Sequence, residues 1–202
     1  KCNHIPNSTE IPQSAKTHSY PVIEKYGAIW VYNGEAPKFS IPDFNNVEVD
    51  NYRMFVFSGK EMKIHNHLLS SNGFDVQHWQ SLHGMEMMSV PDFVEVSPYH
   101  LQIKYHFKVN ENHPSYRRLK LLGLATVKMN YETIGGNLSL VSLQGKKTGF
   151  IVVLAPLPTA DGTSFAQMCV GIPKASSVGK IIFKEYFQLI KAVLGIVAVL
   201  KD

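Results

Sequence analysis

Cysteine is scarce in this chain: Cys2 and Cys169 are the only two in 202 residues. Two cysteines provide no disulfide framework, so the chain is expected to work in a reducing compartment, in the cytoplasm. Cys169 sits in the apolar run Met168-Cys169-Val170 and reads as a small buried hydrophobe. An excess of one charge is also lacking. The formal net charge is +4, and cations cluster only in pairs such as Arg117-Arg118 and Lys146-Lys147. There is no basic tract of the kind that grips nucleic acid. No signal-peptide pattern opens the sequence. Long apolar runs are missing as well. The stretch from Ala192 to Leu200 covers nine residues, well below the ~20 that a membrane-spanning helix needs.

What is present is the composition of a globular domain. The chain is 45% hydrophobic and 18% charged, enough for one sizeable core and a small annex. It opens on Lys1 rather than Met and stops on a carboxylate, Asp202, so a fragment of a longer protein is expected. Residues 1–27 are rich in Pro, Ser, Asn and Thr and read as loop and linker, with a strand from Gly27 to Tyr32. Another strand is expected over Tyr52–Phe57. From residue 93 the pattern has period two. Leu101, Ile103, Tyr105, Phe107 and Val109 alternate with His100, Gln102, Lys104, His106 and Lys108, the signature of a half-buried antiparallel strand. Strands follow at 124–131, 137–144, 149–155 and 164–172, separated by turn residues. Residues 178–201 read as a helix with a polar stripe at Lys180, Lys184, Gln188 and Lys191. The sum is an α+β domain in which a curved antiparallel sheet grips a long C-terminal helix.

The most specific stretch is Asn72-Gly73-Phe74-Asp75-Val76-Gln77-His78-Trp79-Gln80-Ser81-Leu82-His83-Gly84. It places a carboxylate and two imidazoles in one short segment, read as a helix from about Asn72 with Ser70, Ser71 or Asn72 as its N-cap. Two His and one carboxylate with open positions is the donor set of non-haem Fe(II) sites. His78 and His83 are five apart, about 140° around an ideal helix. They reach one metal only if the helix ends or bulges between them, and Gly84 favours an ending. Taken alone, the pair also fits two polar side chains on a solvated helix. Asp75, at i,i+3 from His78, can meet it on the helix face and accept the imidazole N–H left over by a metal; it also suits a helix N-terminus. His65 and His67 would face one way if carried by a strand, with no clean third ligand nearby. Cys2-x-His4 has no second cysteine close by to complete a cluster site.

The motif resembles the mononuclear-iron segment of the Rieske-type non-haem iron oxygenases, the aromatic-ring-hydroxylating family. Two further stretches agree: Ser19 to Gly34 looks like the segment that follows the family's cluster domain, and Lys1-Cys2-Asn3-His4-Ile5-Pro6 looks like that domain's tail. The resemblance implies a helix-grip (START-like) catalytic domain over 28–202, incomplete at its C-terminus, after a Rieske-domain tail and linker over 1–27. It implies His78 and His83 as iron ligands and a downstream carboxylate as the third. Asp202 is the candidate, with Glu185, beside Lys184, as the weaker one. It implies a relay from a neighbouring subunit's cluster through Asp75, and places Asn72 near the iron. Fe(II) and O2 would act in this domain. Electrons would come from NAD(P)H through a reductase, with or without a ferredoxin, and a [2Fe-2S] Rieske cluster upstream of this chain. A homo-oligomer, most simply a trimer, would hydroxylate a small apolar substrate, aromatic or polycyclic and isoprenoid-like. Phe74, Trp79, Met85, Met87 and Met88 would line the pocket, or else belong to the core. The alternative is a non-catalytic helix-grip module that binds a lipid or isoprenoid. A hydrolytic zinc site is disfavoured by the five-residue spacing.

Overall fold

The period-two pattern of the chain's second half builds most of the molecule. The computed structural model describes residues 2–146, 148–159, 162–174, 189–193 and 196. Two compact units are present, Lys1–Ser40 and Ile41–Asp202.

The first unit carries an antiparallel hairpin of β1 (Val22–Lys25) and β2 (Ala28–Val31), with Val22 opposite Val31 and Lys25 opposite Ala28. Its two-residue turn puts Tyr26 at φ 57° and Gly27 at φ 75°, the left-handed pair that matches strand twist in tight hairpins. This corrects the loop reading of residues 1–27. Only four residues separate Pro21 from Tyr26, and a bulky residue in the left-handed region gives no turn signal. Trp30 Nε1 donates to the Lys25 carbonyl at 2.8 Å and ties the hairpin together.

The second unit is an open antiparallel sheet. Its strands are β3 (Tyr52–Met62), β4 (Met85–Met87), β5 (Asp92–Ser97), β6 (His100–Val109), β7 (Thr126–Ile134), β8 (Leu138–Gly145), β9 (Gly149–Pro158) and β10 (Ser164–Pro173). They lie in the order β3-β10-β9-β8-β7-β6, and β4 and β5 share the outer edge of β6. Helices α1 (Asn66–Ser71) and α2 (Val76–Ser81) connect β3 to β4, and α3 (Tyr116–Leu122) connects β6 to β7.

One face of the sheet holds the core. Ile103, Tyr105, Phe107 and Val109 of β6 meet Val127, Met129 and Tyr131 of β7, with Val141, Phe150, Val152, Val170 and Ile172 continuing the layer. Phe107 is 1% exposed, and burying a side chain of that kind stabilises by roughly 1.5–3 kcal/mol. Residues 189–193 are helical, with Ala192 buried in this core and Leu189 and Ile196 packed on it. The rest of the helix expected over 178–201, with Glu185 and Asp202, lies outside the described residues.

The half-buried reading of β6 holds from Ile103 onward and fails at its start. His100 and Gln102 are buried too. His100 Nε2 lies 2.6 Å from the fully buried Glu132 Oε2, and Asn130 Nδ2 donates to Glu132 Oε1 at 2.8 Å. Along the register from Glu132, Leu140 and Val153 are also fully buried. The centre of the sheet is therefore covered on both faces.

Candidate metal centre

The segment that carries the two imidazoles is broken where one helix was expected. α1 ends at Ser71, a 3-10 turn covers Asn72–Phe74, and α2 starts afresh at Val76. Ser70, Ser71 and Asn72 therefore do not cap it. The cap is Asp75, with an extended backbone (φ −84°, ψ 97°), whose Oδ1 accepts from the His78 backbone N–H at 3.0 Å. Six residues later the helix stops: Leu82 closes it by donating to the His78 carbonyl at 3.0 Å. Gly84 then turns the chain at φ 60°, where a Cβ would lie 2.6 Å from the His113 ring. Its carbonyl accepts from Asn110 N–H at 2.7 Å, which anchors the turn beside the end of β6.

This ending brings the two imidazoles together. His78 Nε2 and His83 Nε2 are 2.9 Å apart, with ring planes at 75°. Two nitrogen ligands about 2.0–2.1 Å from one metal, at a right angle to each other, stand about 2.8–3.0 Å apart. The donor pair thus fits a shared cation, and it equally fits a single N–H···N bond in the metal-free protein. His83 is 6% exposed and its ring lies 5.3 Å from that of Trp79. Among the described residues no group of three His, Cys, Asp or Glu side chains is placed to hold a metal. The expected third ligand, Asp202, is outside them.

Asp75 meets His78 through the backbone rather than through the imidazole, and its side chain is exposed. Asn72 is exposed in the 3-10 turn, and its carbonyl accepts from Asp75 N–H at 3.3 Å. His65 caps α1 and His67 lies within it, so the strand-borne pair is overturned. Their nitrogens serve local bonds, His65 Nδ1 to His67 N–H at 3.4 Å and His67 Nδ1 to the Gly136 carbonyl at 2.8 Å.

Sequence reasoning missed what fixes this segment to the sheet. Tyr105 donates its hydroxyl to the Gly73 carbonyl at 2.8 Å, and Trp79 Nε1 donates to the same oxygen at 3.3 Å. Tyr131 donates to the Ser70 carbonyl at 2.7 Å and shares a 2.7 Å bond with Ser139. A Cβ on Gly73 would come within 2.1 Å of the Tyr131 ring. Burial pushes both phenols up to about 12. At Tyr105 the Tyr131 and Asp75 charges add to it, and at Tyr131 the Ser139 bond opposes it. Both hydroxyls therefore stay donors. The available signal was a phenol at an inward position of an alternating strand, since a buried tyrosine hydroxyl needs a partner.

Beside the imidazoles lies a cavity of about 140 Å³ with an almost wholly apolar lining. Trp79 stands between the two, 5.3 Å from His83 and 5.7 Å from Phe107, ring to ring. Of the five residues expected to line a pocket, Trp79 and Met85 do so. Phe74 packs edge-on against Tyr131 and Phe93, Met87 packs on the core, and Met88 is 52% exposed. Leu119 and Leu124, around α3, complete the wall.

No family model matches the chain. Over 95 residues it is 35% identical to a cholesterol 7-desaturase of Ciona intestinalis, a match that spans 44% of this chain and 20% of that protein. Dicamba monooxygenase, solved with 3,6-dichlorosalicylic acid, superposes with a TM-score of 0.62 at 18% identity, over 97% of this chain and 60% of that one. NdmA of Pseudomonas putida CBB5, solved with caffeine, gives 0.61 at 14% identity, over 96% and 55%. All three are oxygen-using oxidoreductases of the Rieske type. The chain thus shares the fold of these solved structures, which among the described residues is an antiparallel sheet with few helices and no closed barrel. The chain spans a fifth of the curated relative and little over half of these solved structures.

Proposed function

We propose that the chain is the catalytic domain of a terminal oxygenase that activates O2 at a mononuclear Fe(II) and oxidises an apolar substrate. The observation that carries this reading is the 2.9 Å convergence of His78 Nε2 and His83 Nε2 beside an apolar cavity. A lipid-binding module would have use for the cavity and none for the imidazole pair.

In this reading His78, His83 and Asp202 hold the iron, and residues 1–27 are the tail of a Rieske domain and its linker. Iron with three protein ligands keeps positions open for O2 and supplies the oxidising chemistry. The chain's own residues supply position and dryness. Asp75 fixes the start of α2, and so the backbone of His78. Tyr105 and Tyr131 hold Gly73 and Ser70 on the sheet. Trp79 and Met85 offer an apolar wall that excludes water from the substrate. Electrons would come from NAD(P)H through a reductase, with or without a ferredoxin, and a [2Fe-2S] cluster, and Asp75, exposed beside His78, would relay them from a neighbouring subunit of a trimer. The substrate class is polycyclic and isoprenoid-like; the cholesterol named for the Ciona relative and the apolar lining support it.

Metal analysis tests the site. Protein reconstituted with Fe(II) without oxygen should bind one iron, and His78→Ala and His83→Ala should each lose it while keeping their fold by circular dichroism. Full iron retention in either variant would overturn the ligand assignment.

A further inference from the structure

We infer that the outer face of α3 docks on an anionic lipid bilayer. Residues 115–131 hold Arg117, Arg118, Lys120 and Lys128 and not one Asp or Glu. Arg117, Arg118, Lys120 and Leu121 are all exposed. Arg117 and Arg118 lie four and three residues before Leu121, and Arg117 three before Lys120, so the cations surround Leu121 on the helix surface. Lys146, also exposed, lies close to the end of this helix: its backbone N–H donates to the carbonyl of Gly123, the residue that ends α3, at 3.0 Å. Lys120 Nζ lies over the Tyr116 ring at 5.3 Å. The nearby carboxylate, Glu111, already faces Lys108 Nζ at 3.8 Å and the Tyr116 hydroxyl at 3.4 Å. No ion pair among the described residues engages Arg117, Arg118 or Lys146.

The apolar member of this face favours a bilayer over an acidic protein. Leu121 is 85% exposed among these cations. Cations at the headgroups with an aliphatic side chain below them is the arrangement of interfacial helices. The opposite side of the same helix supports it: Leu119 lines the apolar cavity. One helix therefore separates the basic surface from the cavity, and a bilayer is a reservoir of apolar ligands. The inference does not depend on His78 and His83 or on any metal.

Sedimentation of the 202-residue chain with vesicles tests it. The chain should bind phosphatidylcholine vesicles that contain phosphatidylserine, and raised salt should weaken this binding. Pure phosphatidylcholine vesicles should bind far less. Each cation near such a surface is worth about a fivefold change, so Arg117→Ala with Arg118→Ala should lower partitioning about thirtyfold. Leu121→Asp should lower it as well, with an unchanged thermal transition. Removing two charges elsewhere, by Lys16→Ala with Lys38→Ala, should leave it much closer to wild type. Equal binding to both vesicle types would overturn the inference, as would wild-type binding by the arginine variant. So would capture of polyglutamate without any binding to phosphatidylserine, which would make the face a site for an acidic protein.

Discussion

His78 and His83 meet Nε2 to Nε2 at 2.9 Å because α2 stops between them. On an unbroken helix the two would diverge by about 140°. The device that stops it is Gly84, at φ 60° with the His113 ring filling the space a Cβ would need. Gly84→Ala should therefore act on both fold and site. A left-handed non-glycine residue costs of order 1–3 kcal/mol, and the close His113 ring adds to it. Thermal unfolding should show this loss, and iron titration should show weaker binding than wild type. Wild-type values in both would mean that the turn tolerates a side chain and that the helix is stopped elsewhere.

Gly73 is the second backbone position the site depends on. A methyl group there would meet the Tyr131 ring at 2.1 Å, so Gly73→Ala should destabilise by about 1–3 kcal/mol through overpacking. Tyr131→Leu opens that space and loses the bonds to Ser70 and Ser139. The double variant should then be more stable than the sum of the two single losses predicts. Strict additivity in denaturant unfolding would show that the clash is relieved by some other movement.

The same phenols set an alkaline limit. Tyr105 and Tyr131 are pushed up to about 12, from an ordinary 10.0, mainly by burial. In both cases the folded chain holds the proton more tightly than the unfolded one. Their contribution is complete below pH 10 and is lost as pH rises from there through about 12. Stability against urea should fall across that window, alongside the rise in tyrosinate absorbance. Tyr131→Phe should lower stability at neutral pH and flatten this slope. An unchanged slope would remove Tyr131 from the alkaline transition.

The strands around the core were legible because their residues alternate: β7 to β10 begin and end within three residues of the spans expected from pattern and turns. β4 and β5 were not, since short edge strands are held by their pairing to β6 rather than by periodicity. α1 was not foreseen, and the helix expected from about Asn72 starts only at Val76, because contacts of Tyr105, Trp79 and Tyr131 at Gly73 hold residues 72–74 in a 3-10 turn. The approach of His78 to His83 was conditional on a helix stop, and Gly84 signalled it. Leu119 and Leu124 could not be assigned to a cavity, because which wall α3 faces is a property of the packed sheet.

Asp75 has one observed role and one proposed role, and one substitution separates them. As the cap of α2 it needs only a side-chain acceptor, and Asn serves about as well as Asp at that position. Asp75→Asn should keep the thermal transition within about 0.5 kcal/mol and keep iron at His78 and His83. The proposed relay needs the charge. In single-turnover experiments on the full oxygenase, cluster reduction should remain normal and cluster oxidation with substrate and O2 should collapse. Oxidation at the wild-type rate would leave Asp75 as a helix cap alone.

The pair on the far side of the sheet predicts a large effect with no bearing on iron. Glu132 is fully buried, 2.6 Å from His100 and 2.8 Å from Asn130 Nδ2. Removing one partner of a buried hydrogen bond leaves the other polar group unsatisfied, which costs about 1–3 kcal/mol. His100→Leu should therefore destabilise strongly. Glu132→Gln, which keeps shape and an acceptor for Asn130, should cost less. The double change His100→Leu with Glu132→Leu should recover much of the loss, since neither side chain is then left as a buried polar group without its partner. Denaturant midpoints of the three variants check the order. If His100→Leu were as stable as wild type, the contact would be dispensable packing. Iron content should stay at the wild-type level throughout, because His100 and Glu132 point away from the core face that carries Tyr105 and Tyr131.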